Sequence, residues 1–200
     1  MEDQVAQSSR RNKVRRAKAA NRPSRLREPL LDTGARLFVE RGMTNVSVEE
    51  LIAGADVSRA TFYGFFANKQ ELAAAILFPV FASGIAAMEK LYDLAPREAA
   101  AGLIDIYLQL WNEHRNALLL VGAIDGTVFP YVRSEHAAYG TALRNVLRVI
   151  ESGNLLKNDS VELTIEVLAR TGIPLLRIYR NRDDLETIYR DSMLGLILKH

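Results

Sequence analysis

The sequence has 200 residues, a net charge of +2 and a hydrophobic content of 48%, values typical of one or two folded domains with a substantial core. It contains no cysteine, which excludes disulfides and thiolate metal sites. The three histidines, His114, His136 and His200, are scattered along the chain, so we predict neither a metal site nor a cofactor.

The charge is distributed unevenly. Residues 1–27 contain nine Lys or Arg against two acidic residues, a net charge of +7, which leaves −5 for residues 28–200. A basic end on a mildly acidic body favours a polyanionic partner at that end. No apolar segment typical of a secretory signal is present at the N-terminus. The uncharged run over 72–88 is interrupted by Pro79 and is shorter than the roughly 20 residues of a membrane span, so we expect no membrane contact.

Residues 1–23 are predicted to form a disordered arm. Basic residues alternate there with small and polar ones, and no apolar face is present that a fold could bury. Such an arm can follow nucleic-acid phosphates or enter a minor groove, or it can be a solvated tail. We favour contact with phosphates. The candidate residues in and next to the arm are Arg15, Arg16, Arg22 and Arg25.

The first helix is predicted from about Glu28 to Arg41. Pro29 is expected in its first turn, where no intrahelical N–H bond is lost, and Gly42 follows the last turn as a C′ glycine. This helix is expected to support the two short helices that come next.

Two short helices joined by a tight turn follow. Ser47 and Glu50 have the spacing of a capping box and begin the first of them. Asp56, a residue that tolerates the left-handed conformation, lies in the turn, and Ser58 is the predicted N-cap of the second. This arrangement is typical of a helix-turn-helix. The predicted core of the segment contains Leu30, Leu31, Leu37, Phe38, Leu51, Phe62 and Phe66.

The second short helix is predicted to expose small, polar and basic residues. Arg59 is a candidate to read guanine in the major groove through a bidentate contact. Ala60 can contact a thymine methyl group, and the hydroxyls of Thr61 and Tyr63 can bind phosphates. Gly64 permits a close approach of the backbone to DNA. The alternative is that Arg59 is a surface charge and Tyr63 a packing residue.

Further candidates for DNA contact lie at helix N-termini, where exposed amides and the helix dipole favour phosphate. They are Thr44, Ser47, Ser58 and Lys69. Capping alone is the alternative for Ser47, as it is for Asn68, the predicted cap of a third helix, and a solvated side chain is the alternative for Lys69.

The stretch 26–72 closely resembles the DNA-binding head of the TetR family of bacterial transcriptional repressors. The matching residues are Leu37–Phe38, Glu40–Gly42, Ser47–Val48, Ala55, Val57–Ser58, Thr61, Tyr63, Phe66, Lys69 and Leu72. The sequence departs from the family pattern at Ile52, Asp56, Gly64 and Phe65. The resemblance implies an all-α chain, with a three-helix helix-turn-helix domain over 24–72 and a helical ligand-binding and dimerisation domain over 73–200. It also supports phosphate contact at Ser47 and Lys69.

Beyond Leu72 the pattern is one of long amphipathic helices. They are predicted over 73–94, 96–114, 118–124, 137–150, 159–179 and from 183 onward. Pro79 and Pro174 are expected to bend their helices, and Pro130 to end the segment 118–124. Asp159 and Asp183 each precede a glutamate at capping-box spacing and are predicted to begin the last two helices.

The last two helices carry more apolar surface than a small domain needs. Intramolecular core is one explanation, and a two-fold four-helix bundle in a homodimer, which the TetR resemblance implies, is the other. We favour the dimer, since one head alone buries little DNA surface. The predicted interface residues are Val161, Ile165, Leu168, Leu176, Leu185, Ile188, Tyr189 and Leu196.

The resemblance also implies that the middle helices enclose a pocket for an unidentified small-molecule effector. The aromatic, soft and polar residues that could line it can also be plain core. They are Phe78, Phe81, Met88, Tyr107, Trp111, His114, Asp125, Phe129 and Tyr131.

The function predicted from these features is a cytoplasmic, nucleoid-associated transcriptional regulator, a repressor that a small hydrophobic effector releases from a palindromic double-stranded DNA operator. The alternative is an architectural or cell-cycle factor of the same fold that recruits a protein and has no small-molecule ligand. No catalytic constellation is visible, so an enzyme is not predicted.

Overall fold

The computed structural model describes residues 22–199, with side chains from Leu26 onward. In that part of the chain the fold is all-α, as predicted, and the chain divides into two compact units between Leu72 and Ala73. A short 3-10 turn at Met43–Asn45 precedes α2. The helices are α1 Arg22–Arg41, α2 Val48–Gly54, α3 Arg59–Phe65, α4 Lys69–Glu89, α5 Pro96–Val121, α6 Phe129–Ser152, α7 Val161–Tyr179 and α8 Leu185–Ile197.

The first helix begins at Arg22, earlier than the predicted Glu28. Pro23 therefore occupies the first turn, the helical position that suits proline. Pro29 lies inside the helix, where its missing N–H leaves one intrahelical bond unmade. Arg22 and Pro23 thus belong to α1, and the rest of the predicted arm lies outside the described residues.

The start signals of the two short helices are confirmed. The Ser47 hydroxyl accepts a hydrogen bond from the Glu50 amide at 3.2 Å, and the Glu50 carboxylate accepts one from the Ser47 amide at 2.9 Å. Ser58 caps α3 by accepting from the Thr61 amide at 3.0 Å. Asp56 has φ 51° in the turn between the helices, so the left-handed conformation is present where it was predicted.

The core of the first unit is built from one face of each helix. Leu30 on α1, Leu51 on α2 and Phe62 on α3 are fully buried, and burial of each such side chain stabilises the unit by about 1.5–3 kcal/mol. α1 and α2 approach closely at Gly54, where an added Cβ would lie 2.8 Å from Thr33 Cγ2. The buried apolar side chains of α1 and α2 therefore fix the position of α3.

α4 is long and apolar enough to cross a membrane by length and composition, but half of its most apolar stretch is buried inside the protein. It remains one helix through Pro79, where a bend or break was predicted. Its surroundings in the second unit identify it as a core helix: Phe81 contacts Tyr139 of α6 with ring centroids 5.8 Å apart, and Ser83 contacts His114 of α5 at 3.4 Å.

The prolines of the second unit were partly misassigned from sequence. The predicted helices 96–114 and 118–124 are a single helix, α5, which has a non-helical φ of −136° and ψ of 36° at His114. Pro130 does not end that segment; it lies in the first turn of α6, where a proline costs no hydrogen bond. Pro174 lies inside α7.

The caps of the last two helices are each one residue later than predicted. Ser160 caps α7 by accepting from the Leu163 amide at 3.2 Å, because Asp159 has φ 49° and belongs to the preceding turn. Asp184 is the N-cap position of α8 but makes no capping hydrogen bond there. Its carboxylate instead accepts two bonds from Arg182, at 2.8 and 2.9 Å.

α8 packs against α5 and α7 of its own chain. Five of the predicted dimer-interface residues are buried within the protomer and present little surface to a second copy, so their part in a dimer stays a prediction. They are Val161, Leu168, Leu176, Leu185 and Tyr189. Of the remaining three, Ile165 and Ile188 are half-buried and Leu196 is exposed.

Candidate nucleic-acid interface and internal cavity

α3 has one buried and one open face. Phe62 is fully buried and Tyr63 is 48% exposed, with their rings in edge-to-face contact at 5.3 Å. Arg59, Ala60 and Gly64 are also exposed. A Cβ added at Gly64 would meet nothing within 4 Å, so the fold itself does not require glycine at this position.

Arg59 is held by a neighbour that the sequence analysis did not single out. Its guanidinium donates a hydrogen bond to the Glu49 carboxylate of α2 at 2.6 Å and lies 5.9 Å from the centre of the Tyr63 ring. Both partners of the ion pair are about two-thirds exposed. A guanidinium has five N–H donors, so this pairing orients Arg59 while leaving donors for another acceptor.

The predicted hydroxyl contacts are engaged in capping. The Ser58 hydroxyl accepts from the Thr61 amide and lies 2.8 Å from the Thr61 hydroxyl, and Ser47 is part of the capping box. Ser47 and Ser58 are exposed and Thr61 is half-buried. Their observed role is therefore to begin α2 and α3, and phosphate contact by the same groups stays a prediction.

Lys69 is used inside the first unit. Its ammonium group donates to the backbone carbonyls of Met43 and Val46, each at 2.8 Å, and approaches that of Thr44 at 3.4 Å. Three carbonyls match the three donors of an ammonium group. Lys69 thus connects the start of α4 to the turn before α2, and phosphate contact by Lys69 stays a prediction.

The structure describes the remaining residues predicted to contact DNA only in part. Thr44 is exposed in the turn before α2. Arg22 and Arg25 belong to α1, but their side chains lie outside the described part, as do Arg15 and Arg16 altogether.

Electrostatics reinforce the start of α2. The hydrogen bonds of Glu50 to the Ser47 backbone and hydroxyl, together with Arg41 at 2.8 Å, lower the pKa of the Glu50 carboxyl to about 2. The carboxylate is therefore ionised across the physiological range, at the helix end where the dipole favours negative charge.

The second unit contains a cavity of about 240 Å³. Its wall is mostly apolar, and its polar side chains are Tyr107, His136 and Tyr139. It is lined by Val80, Phe81, Tyr107, Leu118, Val121, Gly122, His136, Tyr139, Gly140, Leu143, Ile165, Leu168, Ala169 and Ile173. Two of the predicted pocket residues, Phe81 and Tyr107, are among them.

The other aromatic and soft residues predicted to line a pocket lie elsewhere. Met88 and Trp111 are fully buried in the core. Phe78, Phe129 and Tyr131 are 38–40% exposed. Other residues of the same helices point into the core. Sequence spacing alone does not show which face of a helix is buried.

The two predicted polar anchors also have other roles. His114 lies at the irregular point of α5 and contacts the Ser83 hydroxyl. Asp125 accepts hydrogen bonds from the amides of Thr127 and Val128, at 2.8 and 3.2 Å, and so shapes the turn before α6.

Sequence reasoning missed four cavity residues on α6. His136, Tyr139 and Gly140 are followed by Leu143, which also lines the cavity. Their spacing of three, four and seven residues places them on one helical face, and this was the available signal. The predicted helix began at residue 137, so the pattern was cut at its first member.

Comparisons with known proteins agree with this architecture. Residues 30–76 match the family model described as bacterial regulatory proteins, tetR family. A segment of 51 residues is 39% identical to the HTH-type transcriptional repressor NemR of Escherichia coli. That match covers 26% of each protein, so the chain matches about a quarter of the length of this curated relative.

Solved structures extend the similarity to most of the chain. The ketosteroid transcriptional regulator KstR2 of Mycobacterium tuberculosis has a TM-score of 0.71 at 21% identity, over 87% of this chain and 95% of that one. The complex of SmeT with triclosan has a TM-score of 0.63 at 19% identity, over 87% and 92%. SmeT is the repressor of the multidrug efflux pump SmeDEF of Stenotrophomonas maltophilia. At such identities the likeness shows a shared fold.

A helix-turn-helix domain followed by a larger helical domain with an internal cavity defines the class of this protein. Its first domain matches the TetR family of bacterial regulatory proteins over residues 30–76, which confirms the resemblance predicted from sequence.

Proposed function

We propose that this protein is a DNA-binding transcriptional regulator that represses from a palindromic operator and is released by a small, largely apolar effector. The observation that carries the proposal is the open face of α3, where Arg59 and Tyr63 are exposed above a buried Phe62. An exposed recognition helix with an oriented arginine suits major-groove contact with guanine.

A homodimer is part of the proposal, because one small head buries too little DNA surface for specific binding. Because five of the predicted interface residues lie in the core of the protomer, we place the dimer interface on the outward faces of α7 and α8. Leu163 is 53% exposed, Ile178 67% and Leu196 38%. Large exposed apolar side chains on two neighbouring helices are typical of an interface.

The cavity supports an effector. α7 contributes Ile165, Leu168 and Ile173 to its wall, while Leu163 and Ile178 of the same helix point outward. A ligand in the cavity would contact the helix that we place in the dimer interface. It can then favour a dimer arrangement whose heads do not match the operator, through its differential affinity for the two states.

One structural relative, SmeT, is a complex with triclosan, and another, KstR2, is described as a ketosteroid transcriptional regulator; both support a ligand-responsive role. The cavity favours this role over a factor that only recruits a protein partner. We propose differential binding without catalysis, and we place the protein with the DNA in the cytoplasm.

The test is selection of binding sequences from random duplex DNA by the full-length protein. We expect a palindrome with half-sites about one helical turn apart, bound by two copies, with the stoichiometry measured by sedimentation of the complex. Enrichment of no sequence, or of a single half-site bound by one copy, would contradict the proposal.

A further inference from the structure

We infer that the cavity in the second unit takes an uncharged, mainly apolar molecule of one or two rings, and that the hydroxyl pair of Tyr107 and Tyr139 binds a hydrogen-bond acceptor on it. This inference rests on the proposed effector role and specifies the chemistry of the effector.

The composition of the wall indicates that the ligand is uncharged. None of its 14 lining residues is Lys, Arg, Asp or Glu. A charged ligand would lose its hydration without gaining a partner of opposite charge, which is strongly unfavourable. His136 is the one imidazole among the lining residues, and it is solvent-exposed.

Tyr107 of α5 and Tyr139 of α6 form the polar point of the wall. Both side chains line the cavity, and they are close enough for Tyr107 to affect the pKa of Tyr139. Each hydroxyl has one proton that it can donate to an acceptor on a ligand. Burial raises the pKa of both tyrosines, which keeps both hydroxyls protonated.

Two glycines allow neighbouring helices to hold these rings. A Cβ at Gly84 of α4 would lie 2.5 Å from Tyr139 Cε2, and a Cβ at Gly172 of α7 would lie 3.3 Å from Tyr107 Cε1. Gly84 thus lets α4 approach the Tyr139 ring, and Gly172 lets α7 approach the Tyr107 ring. Both rings are restricted in movement, so the pair is preorganised. An alanine at Gly84 would force Tyr139 to move.

A third hydroxyl near the pair supports a ligand site. Tyr189 of α8 is fully buried, and its hydroxyl has no hydrogen-bond partner among the described residues. It lies 3.5 Å from the Cβ position of Gly172, which also contacts the Tyr107 ring. Buried polar atoms without a partner are uncommon in native proteins, and this one shares Gly172 as a neighbour with the cavity-lining Tyr107.

The volume of the cavity and its aromatic side chains limit the size and the chemical type of the ligand further. A volume of about 240 Å³ is below the range of about 300–1,000 Å³ typical of drug-sized ligands. Phe81 presents its ring beside Tyr139 and His136, with centroids 5.8 and 6.2 Å away. Aromatic walls pack well against aromatic ligands.

The experiment uses three naphthalenes of similar shape and the purified full-length protein without DNA. The probes are 2-acetylnaphthalene, which has a carbonyl acceptor, 2-ethylnaphthalene, which has none, and 2-naphthoate, which is charged. Titration calorimetry measures each Kd. We expect the ketone to bind about two- to tenfold more tightly than the hydrocarbon, the contribution of one hydrogen bond, and the carboxylate to bind most weakly.

Tyrosine variants assign the preference to the pair. Tyr107→Phe and Tyr139→Phe should each reduce the advantage of the ketone while leaving the Kd of the hydrocarbon within about twofold, because the shape of the wall is preserved. Tyr131→Phe, at an exposed position outside the wall, should change neither. Circular dichroism checks that each variant is folded.

Equal binding of ketone and hydrocarbon to the wild type, strongest binding of the carboxylate, or no binding of any probe would overturn the inference. Retention of the ketone preference in both tyrosine variants would also overturn it. Operator selection needs no ligand, so failure here leaves the DNA-binding proposal standing, and failure of the selection leaves this measurement unaffected.

Discussion

The guanidinium of Arg59 on α3 is bound to the carboxylate of Glu49 on α2, at 2.6 Å. The residue proposed to read a base is therefore oriented before DNA arrives, and its charge is partly neutralised by a neighbour on the same surface. Glu49 has two opposite effects on DNA binding: it preorganises Arg59, and it competes for its donors and repels phosphates. The orientation of Arg59 by an exposed ion pair contributes at most about 1 kcal/mol. We therefore expect the competition for donors and the repulsion of phosphates to outweigh it.

Glu49→Gln should accordingly tighten binding to operator DNA, by up to about fivefold, which corresponds to about 1 kcal/mol. The gain should shrink with added salt, since it is a surface electrostatic effect. Fluorescence anisotropy at two salt concentrations measures it.

The matched control is Glu40→Gln, which removes the same charge from a similarly exposed ion pair in the same unit, that of Arg36 with Glu40 at 3.2 Å. An equal gain from both variants would mean that net charge alone, and not the pairing with Arg59, is responsible.

The low pKa of Glu50 leads to a prediction about how the stability of the fold depends on pH. Its pKa is about 2 in the folded protein against an ordinary value of 4.5. A depressed folded-state pKa stabilises the fold above pH 4.5, and the stabilisation is lost as pH falls toward 2. Glu50→Gln should lower the free energy of unfolding at pH 7, with a difference from wild type that disappears over that window. Urea titrations at pH 7 and pH 3 compare the two; a difference that is the same at both would contradict the assignment.

Ile188 tests the position of the dimer interface. It is half-buried on α8, beside the core residue Tyr189. Ile188→Glu should place a desolvated carboxylate near its own copy across the two-fold axis and give monomers with lost operator binding. Sedimentation at micromolar concentration reports the oligomeric state.

Ala86→Glu, an equivalent change at an exposed position on α4, should leave the dimer intact. If the Ile188→Glu protein remains dimeric and binds its operator normally, the interface lies on another face.

Deletion of residues 2–21 tests the basic arm. The segment contains six Lys or Arg, and each phosphate contact contributes a slope of about −0.9 to the dependence of log K on log salt. We expect weaker binding to all DNA sequences and a shallower slope, with the order of preferred sequences unchanged. An unchanged slope, measured from 50 to 200 mM salt, would show that the arm does not contact DNA.

The parts of the fold that sequence predicted are local ones. A cap is decided within four residues, so the roles of Ser47 with Glu50, and of Ser58, follow from sequence alone. Burial of Phe62 and Phe66 followed from their spacing on one short helix. The same local logic is ambiguous for proline, which suits a first turn and is tolerated inside a packed helix, as Pro29 shows.

The parts that sequence did not predict depend on how helices face one another. Leu185 and Tyr189 form a stripe with Met193 and Ile197, and such a stripe is equally suited to a partner protomer or to the chain's own core. The structure places it in the core. Tyr139 was missed because the predicted helix began at residue 137, which separated His136 from the periodic face of α6, and because sequence does not show which helices share a cavity wall.

The most direct test of the central claim, that α3 reads operator DNA through Arg59, compares Arg59→Ala with Arg36→Ala on the sequence that selection yields. Both changes remove one exposed arginine from the same unit, so their electrostatic losses are similar. We predict that Arg59→Ala weakens operator binding by about 1–3 kcal/mol and relaxes discrimination at one base pair of each half-site, whereas Arg36→Ala changes affinity for all sequences alike. Equal losses in the two variants, with base preference unchanged at every position, would contradict the claim.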